Sequence, residues 1–338
     1  MPERYFAGTL SLFGGRSSGA VEYVTTASRF DPAYTAGCIR FPALGFGQGN
    51  TNYCQVPIGG PRTVISGTPL WTSALYRLDQ IAPAINGPYT LITWHRADGS
   101  QLASVFFNNG SANFRMVAAR GGGQNFTGPT VPFPLSTLVR VVVKIIPGDG
   151  PDGEMSVYLN GNLVASTVGG FDADFDDISF VRFTSPVGNG QSGFLSQAAM
   201  ADFDLRAFNF GSDVLTADGF YTDGTGDALD TASADFTSFK GLPAVGNRFT
   251  GTSPARVLTG NEVISAVSLS QVARAVSPAG NAAGLLRIGS NDYEQAFSPV
   301  STPGFEIRSP TWDVNPDTGL DWDLAAYNAM QRGARVLA

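Results

Sequence analysis

The 338-residue chain has one histidine, two cysteines and two lysines, and each scarcity argues against a class of function. One histidine and two cysteines cannot build a four-ligand zinc site without recruiting carboxylates. Lys144 and Lys240 are the only lysines, the arginines are scattered and the net charge is −7. A protein that grips phosphate backbones needs a basic face, so no nucleic acid partner is expected. An anionic membrane surface is disfavoured for the same reason. No stretch approaches the roughly 18 apolar residues of a membrane span. The opening MPERYFAGTL lacks the basic-then-apolar pattern of a signal peptide. Without such a signal, Cys38 and Cys54 are expected to be reduced, partly buried thiols, although a disulfide between them stays open. Charged residues make up only 14% of the chain, so much of the surface must be polar but uncharged, or covered by partners.

What is present points to strands. Hydrophobic residues make up 43%, enough for a real core, and 41 glycines with 21 prolines follow no collagen-like period. Such a chain suits many short strands joined by tight turns, in two domains. Residues 1–18 read as an N-terminal arm, because an apolar start runs into Gly14, Gly15 and Ser17-Ser18-Gly19. Thr137 to Ile146 alternates with period two, placing Val139, Val141, Val143 and Ile145 on one face and Arg140 and Lys144 on the other. Ala112 to Ala118 does the same with Phe114 and Met116 inward. Ala201 to Ala207 alternates as well, with Phe203 and Leu205 opposite Asp202, Asp204 and Arg206. Met155 to Val164 is a hairpin closed by Asn160-Gly161, a pair that tolerates the positive φ angles of a type I′ turn. Before it, Gly148 to Gly153 is a loop of turn formers.

Val143-Lys144-Ile145-Ile146, then Asp152-Gly153, then Val157-Tyr158-Leu159-Asn160-Gly161 resembles the strand–turn–hairpin run of concanavalin-like (laminin-G-like) jelly rolls. The resemblance implies an antiparallel β-sandwich over residues 19–211. A composition shift near 212 marks a boundary to a smaller β-rich domain, 212–338. In it, the apolar run Val263 to Val276 reads as a strand with Val263, Val267 and Leu269 on one face, a helix being open for Gln271 to Val276. Asn315-Pro316-Asp317-Thr318-Gly319 is a turn, since proline pre-sets φ and glycine takes the left-handed position. After Trp322, Asp321 or Asp323 caps a terminal helix that runs through Gln331, with Gly333 at C′.

This segment, Asn315, Pro316, Thr318, Gly319 and Trp322 with the helix behind it, is similar to the C-terminal region of a family of tailed-bacteriophage virion proteins. Ile264 to Leu269 and Tyr293 to Phe297 resemble the family's preceding strands. The similarity spans 220–338 and departs from the family at Asp323, where threonine or serine is usual and where aspartate caps a helix equally well. It implies a minor structural, tail or tail-fibre role and carries no catalytic residues.

Alternation puts His95 on the face of Leu91. A catalytic triad base is the sharp reading, but no Gly-x-Ser-x-Gly elbow supplies a nucleophile, and a histidine serving a strand surface is favoured. The six glutamates do not form the paired strand pattern of sandwich glycosidases. Asp172, Asp174, Asp176 and Asp177 form the densest acidic cluster and suit calcium in charge but not in EF-hand spacing, so a solvated loop is favoured; Gly148 to Gly153 is a second calcium candidate. Gly121-Gly122-Gly123 lacks the Gly-Lys-Ser/Thr ending of a phosphate loop. Of the tryptophans, Trp71 is the candidate for stacking on a glycan. The expectation is a virion component without cofactor, tail-associated or head-decorating, assembling with other virion proteins and copies of itself. The rivals are a glycan-binding module for the host surface and a polysaccharide-degrading enzyme.

Overall fold

A computed structural model describes residues 5–7, 15–16, 22–24, 28, 38–41, 53–63, 68–79, 89–107, 113–119, 125–127, 131–146, 153–168, 177–184, 193–209, 213–226, 240–258, 262–275, 280–300 and 306–337. The chain divides into two compact units, Met1–Ser212 and Asp213–Ala338.

The first unit is an antiparallel β-sandwich. Its strands are β1 Tyr5–Ala7, β2 Gly15–Arg16, β3 Glu22–Val24, β4 Cys38–Phe41, β5 Tyr53–Thr63, β6 Leu70–Leu78, β7 Tyr89–His95 and β8 Gln101–Phe107. They continue with β9 Asn113–Ala119, β10 Asn125–Thr127, β11 Val131–Pro132, β12 Leu138–Ile146, β13 Glu154–Leu159, β14 Asn162–Val168, β15 Asp177–Thr184 and β16 Gly193–Ala201. The first sheet runs β14-β13-β12-β6-β16-β4-β3, with β1 also on β16. The second runs β10-β9-β8-β7-β15-β5-β2, with β11 also on β9.

One apolar core lies between the sheets. Tyr76, Leu78, Val139, Val141, Val143 and Ile145 face it from the first sheet, and Ile92, Trp94, Val105, Val181 and Phe183 from the second. Polar links cross it: the Tyr76 hydroxyl donates to the Leu91 carbonyl at 3.0 Å, and Trp94 Nε1 donates to Thr72 Oγ1 at 3.1 Å. Burial holds the Tyr76 phenol well above its ordinary pKa, so it stays a donor. The hairpin forms where Asn160-Gly161 requires it, with φ of 48° and 82°. Cys38 and Cys54 are buried thiols on different sheets, and no disulfide joins them.

Three expectations change here. Of the residues expected in an N-terminal arm, Tyr5–Ala7 pairs with β16 over Ala198–Met200, beyond the stretch that β4 pairs, and Gly15–Arg16 pairs with β5, each where the strand offers unmet backbone groups. The strand expected over 201–207 stops at Ala201. Residues beyond it turn back over the first sheet, and Leu205 is buried against Trp71, Val142 and Tyr158. This cover accounts for the burial of Arg140, whose guanidinium donates to Gln197 Oε1 at 2.5 Å and Asn209 Oδ1 at 2.6 Å. Finally, a β-bulge between Thr90 and Ile92 shifts the alternation of β7. Leu91, Ile92 and Trp94 all enter the core, and His95 falls on the face away from Leu91.

The second unit contains β17 Ala217–Thr222, β18 Arg248–Thr252, β19 Val267–Ser268, β20 Gln271–Ala273, β21 Gly280–Ile288 and β22 Asn291–Val300. It continues with β23 Glu306–Arg308, β24 Thr311–Trp312, α1 Leu324–Ala329 and β25 Gln331–Leu337. The main sheet runs β17-β18-β25-β21-β22, while β19 pairs with β24 and β20 with β23. Val267, Leu286, Ile288, Trp312, Trp322 and Met330 form the core.

The apolar run from Val263 is broken into an isolated Ile264–Trp322 bridge and two short strands, and Val263 itself is exposed. Gln271–Ala273 is strand, not helix. Asp323 is the N-cap, its carboxylate accepting from the Ala326 amide at 2.7 Å. The helix, however, stops at Ala329, and the chain continues as β25 in the middle of the sheet. Gly333 is therefore not a helix cap. It sits in that strand, where an added Cβ would lie 1.8 Å from the Phe249 carbonyl oxygen.

Candidate functional site

Because Cys54, Trp94, Val181 and Phe183 point into the core, their neighbours Tyr53, Gln55, Thr93, His95, Phe180 and Arg182 lie on the outer face of the second sheet. The register sets Gln55, Arg182 and Thr93 in one row across β5, β15 and β7, and Pro57, Phe180 and His95 in the next. The side chains stack into a ladder. The Arg182 guanidinium lies 4.4 Å from the Tyr53 ring centre and 5.0 Å from that of Phe180. The other neighbour of Phe180 is the His95 imidazole, at 4.9 Å and 11° between planes. Arg182 Nε donates to Gln55 Oε1 at 3.0 Å. A planar cation between two aromatic rings, with one edge tied, is held in a single orientation.

His95 is held as firmly. Its Nδ1 is 3.0 Å from the Gly99 carbonyl oxygen, which can only accept, so Nδ1 carries the proton; Nε2 then accepts from the Thr93 hydroxyl at 2.7 Å. Both ring nitrogens are thus bonded, and the group that orients Nδ1 is a backbone carbonyl where a catalytic triad has a carboxylate. Burial lowers the imidazole pKa and the Arg182 charge lowers it further, against the opposite pull of the Gly99 carbonyl.

A folded-state pKa below the unfolded value means that the unfolded chain binds the proton first. Sandwich stability is therefore expected to fall as the pH drops through about 6.5, with a slope of at most about 1.4 kcal/mol per pH unit. Asp204 and Asp292, whose pKa values are lowered, act in a separate window, losing their contribution only below about pH 4. Urea unfolding between pH 7 and 5 checks this: His95→Asn should flatten the slope, and an unchanged slope would remove His95 as its source.

The other sequence-derived candidates fall elsewhere. Trp71 is not a sugar platform. It is buried beneath Leu205, 5.9 Å from Tyr158, with the Arg206 guanidinium 5.6 Å from its ring. Arg206 is in turn held by both oxygens of Asp204. Asp172, Asp174 and Asp176, and the loops around Gly121 and Gly148, lie outside the described residues, while Asp177 begins β15. Among the described residues, no group of three or more His, Cys, Asp or Glu is arranged to hold a metal.

The phage-like segment builds structure. Asn315 is buried, its carbonyl accepting from the Gly319 amide, its amide donating to the Leu320 carbonyl and its side chain accepting from the Asp317 amide. Gly319 takes φ of 71°, and Thr318 Oγ1 accepts from the Leu320 amide at 3.3 Å. Pro316, half-buried, sits between Asn315 and Asp317 in the same turn. Trp322 Nε1 donates to the Trp312 carbonyl at 3.0 Å. Asp317 accepts from Tyr293 and Asn291, tying the turn to the β21–β22 hairpin; the Tyr293 bond leads in lowering its pKa.

Tyr53, Gln55, Phe180 and Arg182 were not among the sequence-derived candidates. Their only local signal is an aromatic and a polar residue two apart on each of two strands, and nothing in the sequence pairs residue 55 with residue 182.

No protein-family model and no curated protein matches the chain. Among solved structures, an endo-β-1,4-glucuronan lyase from the fungus Trichoderma reesei is 13% identical over 58% of this chain and 94% of its own, with a TM-score of 0.43. An alginate lyase solved with an alginate trisaccharide is 13% identical over 60% of this chain and 99% of its own, with a TM-score of 0.40. The receptor-binding domain of a botulinum neurotoxin C/D mosaic serotype is 11% identical over 60% of this chain and 44% of that one, with a TM-score of 0.39.

Proposed function

We propose that the protein is a non-enzymatic structural component of a tailed-bacteriophage particle, tail-associated (fibre, baseplate or tip) or head-decorating, that works by assembling with other virion proteins and with copies of itself. The supporting observation is the use made of the segment that resembles virion proteins. Asn315, Gly319 and Trp322 put their polar groups into closing a turn, packing the core and leading the chain into β25. The segment acts as a folding element of a self-contained unit, as an assembly domain requires. The test is protein mass spectrometry of washed particles made by a phage that encodes the chain, with and without its gene. The chain should be present in fixed stoichiometry, and its loss should remove a defined density from the particle. Complete, infectious particles lacking the chain would overturn the proposal.

A second reading, that the sandwich is a glycan-binding module for the host surface, is favoured by the Tyr53–Arg182–Phe180–His95 ladder. A pre-oriented cation on a sheet face, flanked by amide and hydroxyl side chains, is the arrangement a saccharide uses. Both readings hold together if the particle carries the sandwich outward.

A further inference from the structure

We propose that the outer face of the second sheet binds an acidic sugar, a glycan residue bearing a carboxylate, and that Arg182 takes the carboxylate. This rests on the glycan-binding reading and names the ligand class for its site.

The argument starts from how arginines are used in this chain. Arg77 lies against Asp79, Arg248 and Arg287 against Asp292, Arg256 against Asp213, and Arg335 against Glu294. In a protein of net charge −7, a carboxylate is the expected partner for a half-buried guanidinium. Arg140 and Arg332 are met instead by neutral acceptors, Ser73, Gln197 and Asn209 for the one and Ser253 and the Tyr327 carbonyl for the other, all at their Nη groups. Arg182 departs further. Its Nε is bound to the neutral Gln55 amide and its two faces are covered by Tyr53 and Phe180. Among the described residues, nothing accepts from its two Nη groups. The neighbours that share its rows, Gln55, Thr93, Pro57, Phe180 and His95, carry no negative charge.

The result is a guanidinium whose orientation is fixed before any ligand arrives and whose remaining donors match the two oxygens of a carboxylate. Because the ordering entropy of the arginine is spent within the fold, the ligand does not bear it. A sugar suits the surroundings better than an acidic peptide does. Peptides add to sheet edges through their backbone, whereas Arg182 lies on β15, between β5 and β7 and away from either edge. Its flanks are the half-buried Tyr53 phenol and Gln55 amide, polar groups that suit hydroxyls.

The test is calorimetric titration of the full chain with a trisaccharide of uronic acid units, its carboxyl-reduced neutral counterpart, a sialylated trisaccharide, acetate and a glutamate-rich peptide. At least one acidic sugar should bind, and at least about tenfold more tightly than its neutral form. Arg182→Ala should weaken that binding by about 10- to 100-fold, and Arg182→Lys, which keeps the charge but not the fork, by less. Near-UV circular dichroism of both variants separates loss of contact from loss of fold. If the lysine variant folds and neither variant changes affinity, Arg182 is not the contact and the proposal falls. Equal binding of acidic and neutral sugars overturns the acidic specificity and leaves glycan binding standing. Binding of acetate or the peptide as tight as the sugar overturns the sugar. If no saccharide binds, the glycan reading and the proposal fall together.

Discussion

Replacing Gly333 with alanine should open the sheet of the second unit. The glycine lies in β25, between β18 and β21, and a Cβ there would come 1.8 Å from the Phe249 carbonyl oxygen, 2.7 Å from its carbon and 2.9 Å from Thr250 Cα. All three are backbone atoms, so no side-chain rotation relieves the clash. Either β18 moves away, breaking its pairing with β25 over Arg248–Gly251, or β25 leaves its place beside β21. The expected loss is on the order of 3–5 kcal/mol, the range of the most damaging single substitutions. A glycine at a helix C′ position would instead lose about 1–2 kcal/mol, the cost of a left-handed residue with a side chain. Hydrogen exchange read by mass spectrometry distinguishes the two. Amides of β18, β21 and β25 should lose protection in Gly333→Ala while those of the sandwich keep theirs. Protection like that of the parent protein would contradict the close approach.

Trp94→Ala should be as severe for the sandwich. The indole is fully buried between the sheets and is among the largest side chains of the core. Its removal loses the transfer energy of the ring and leaves a cavity walled by both sheets, a loss of about 3–5 kcal/mol. It also removes the donor to Thr72 Oγ1, a polar link across the core. Trp94→Phe separates the contributions, since it keeps much of the volume and gives up the hydrogen bond, for which about 0.5–1.5 kcal/mol is expected beyond the smaller packing loss. Urea midpoints of the two variants provide the comparison. A midpoint for Trp94→Ala within error of the parent would mean that the two sheets do not share the core described.

Much of the sandwich is legible in the amino-acid order because strand alternation is a local property. Val139, Val141, Val143 and Ile145 announce their inward face, and Asn160-Gly161 announces its hairpin. Alternation fails where a residue is inserted. The bulge beside Leu91 reverses the face of His95, and no pattern within Tyr89 to His95 marks it. Alternation fails again where a face is covered by a segment from elsewhere. Trp71 has the surroundings of an exposed aromatic until residues 201–209 close over it. Likewise, the Asp323 cap and the short helix are readable from local hydrogen-bonding chemistry, whereas the strand after it is not. The glycine that looks like a helix stop is required by a neighbouring backbone 84 residues away in sequence, Phe249 against Gly333.

The sequence by itself determined the all-β character, the principal strand and hairpin in the sandwich and the turn from Asn315 to Gly319, because each depends on residues within a few positions of one another. Only the tertiary structure decided which side chains became neighbours. Arg182 meets Tyr53 and Gln55 because β15 pairs with β5, and β25 enters the middle of its sheet because Gly333 admits β18. Those pairings follow from the burial of both sheet faces together, a property of the whole chain that no short window of residues contains.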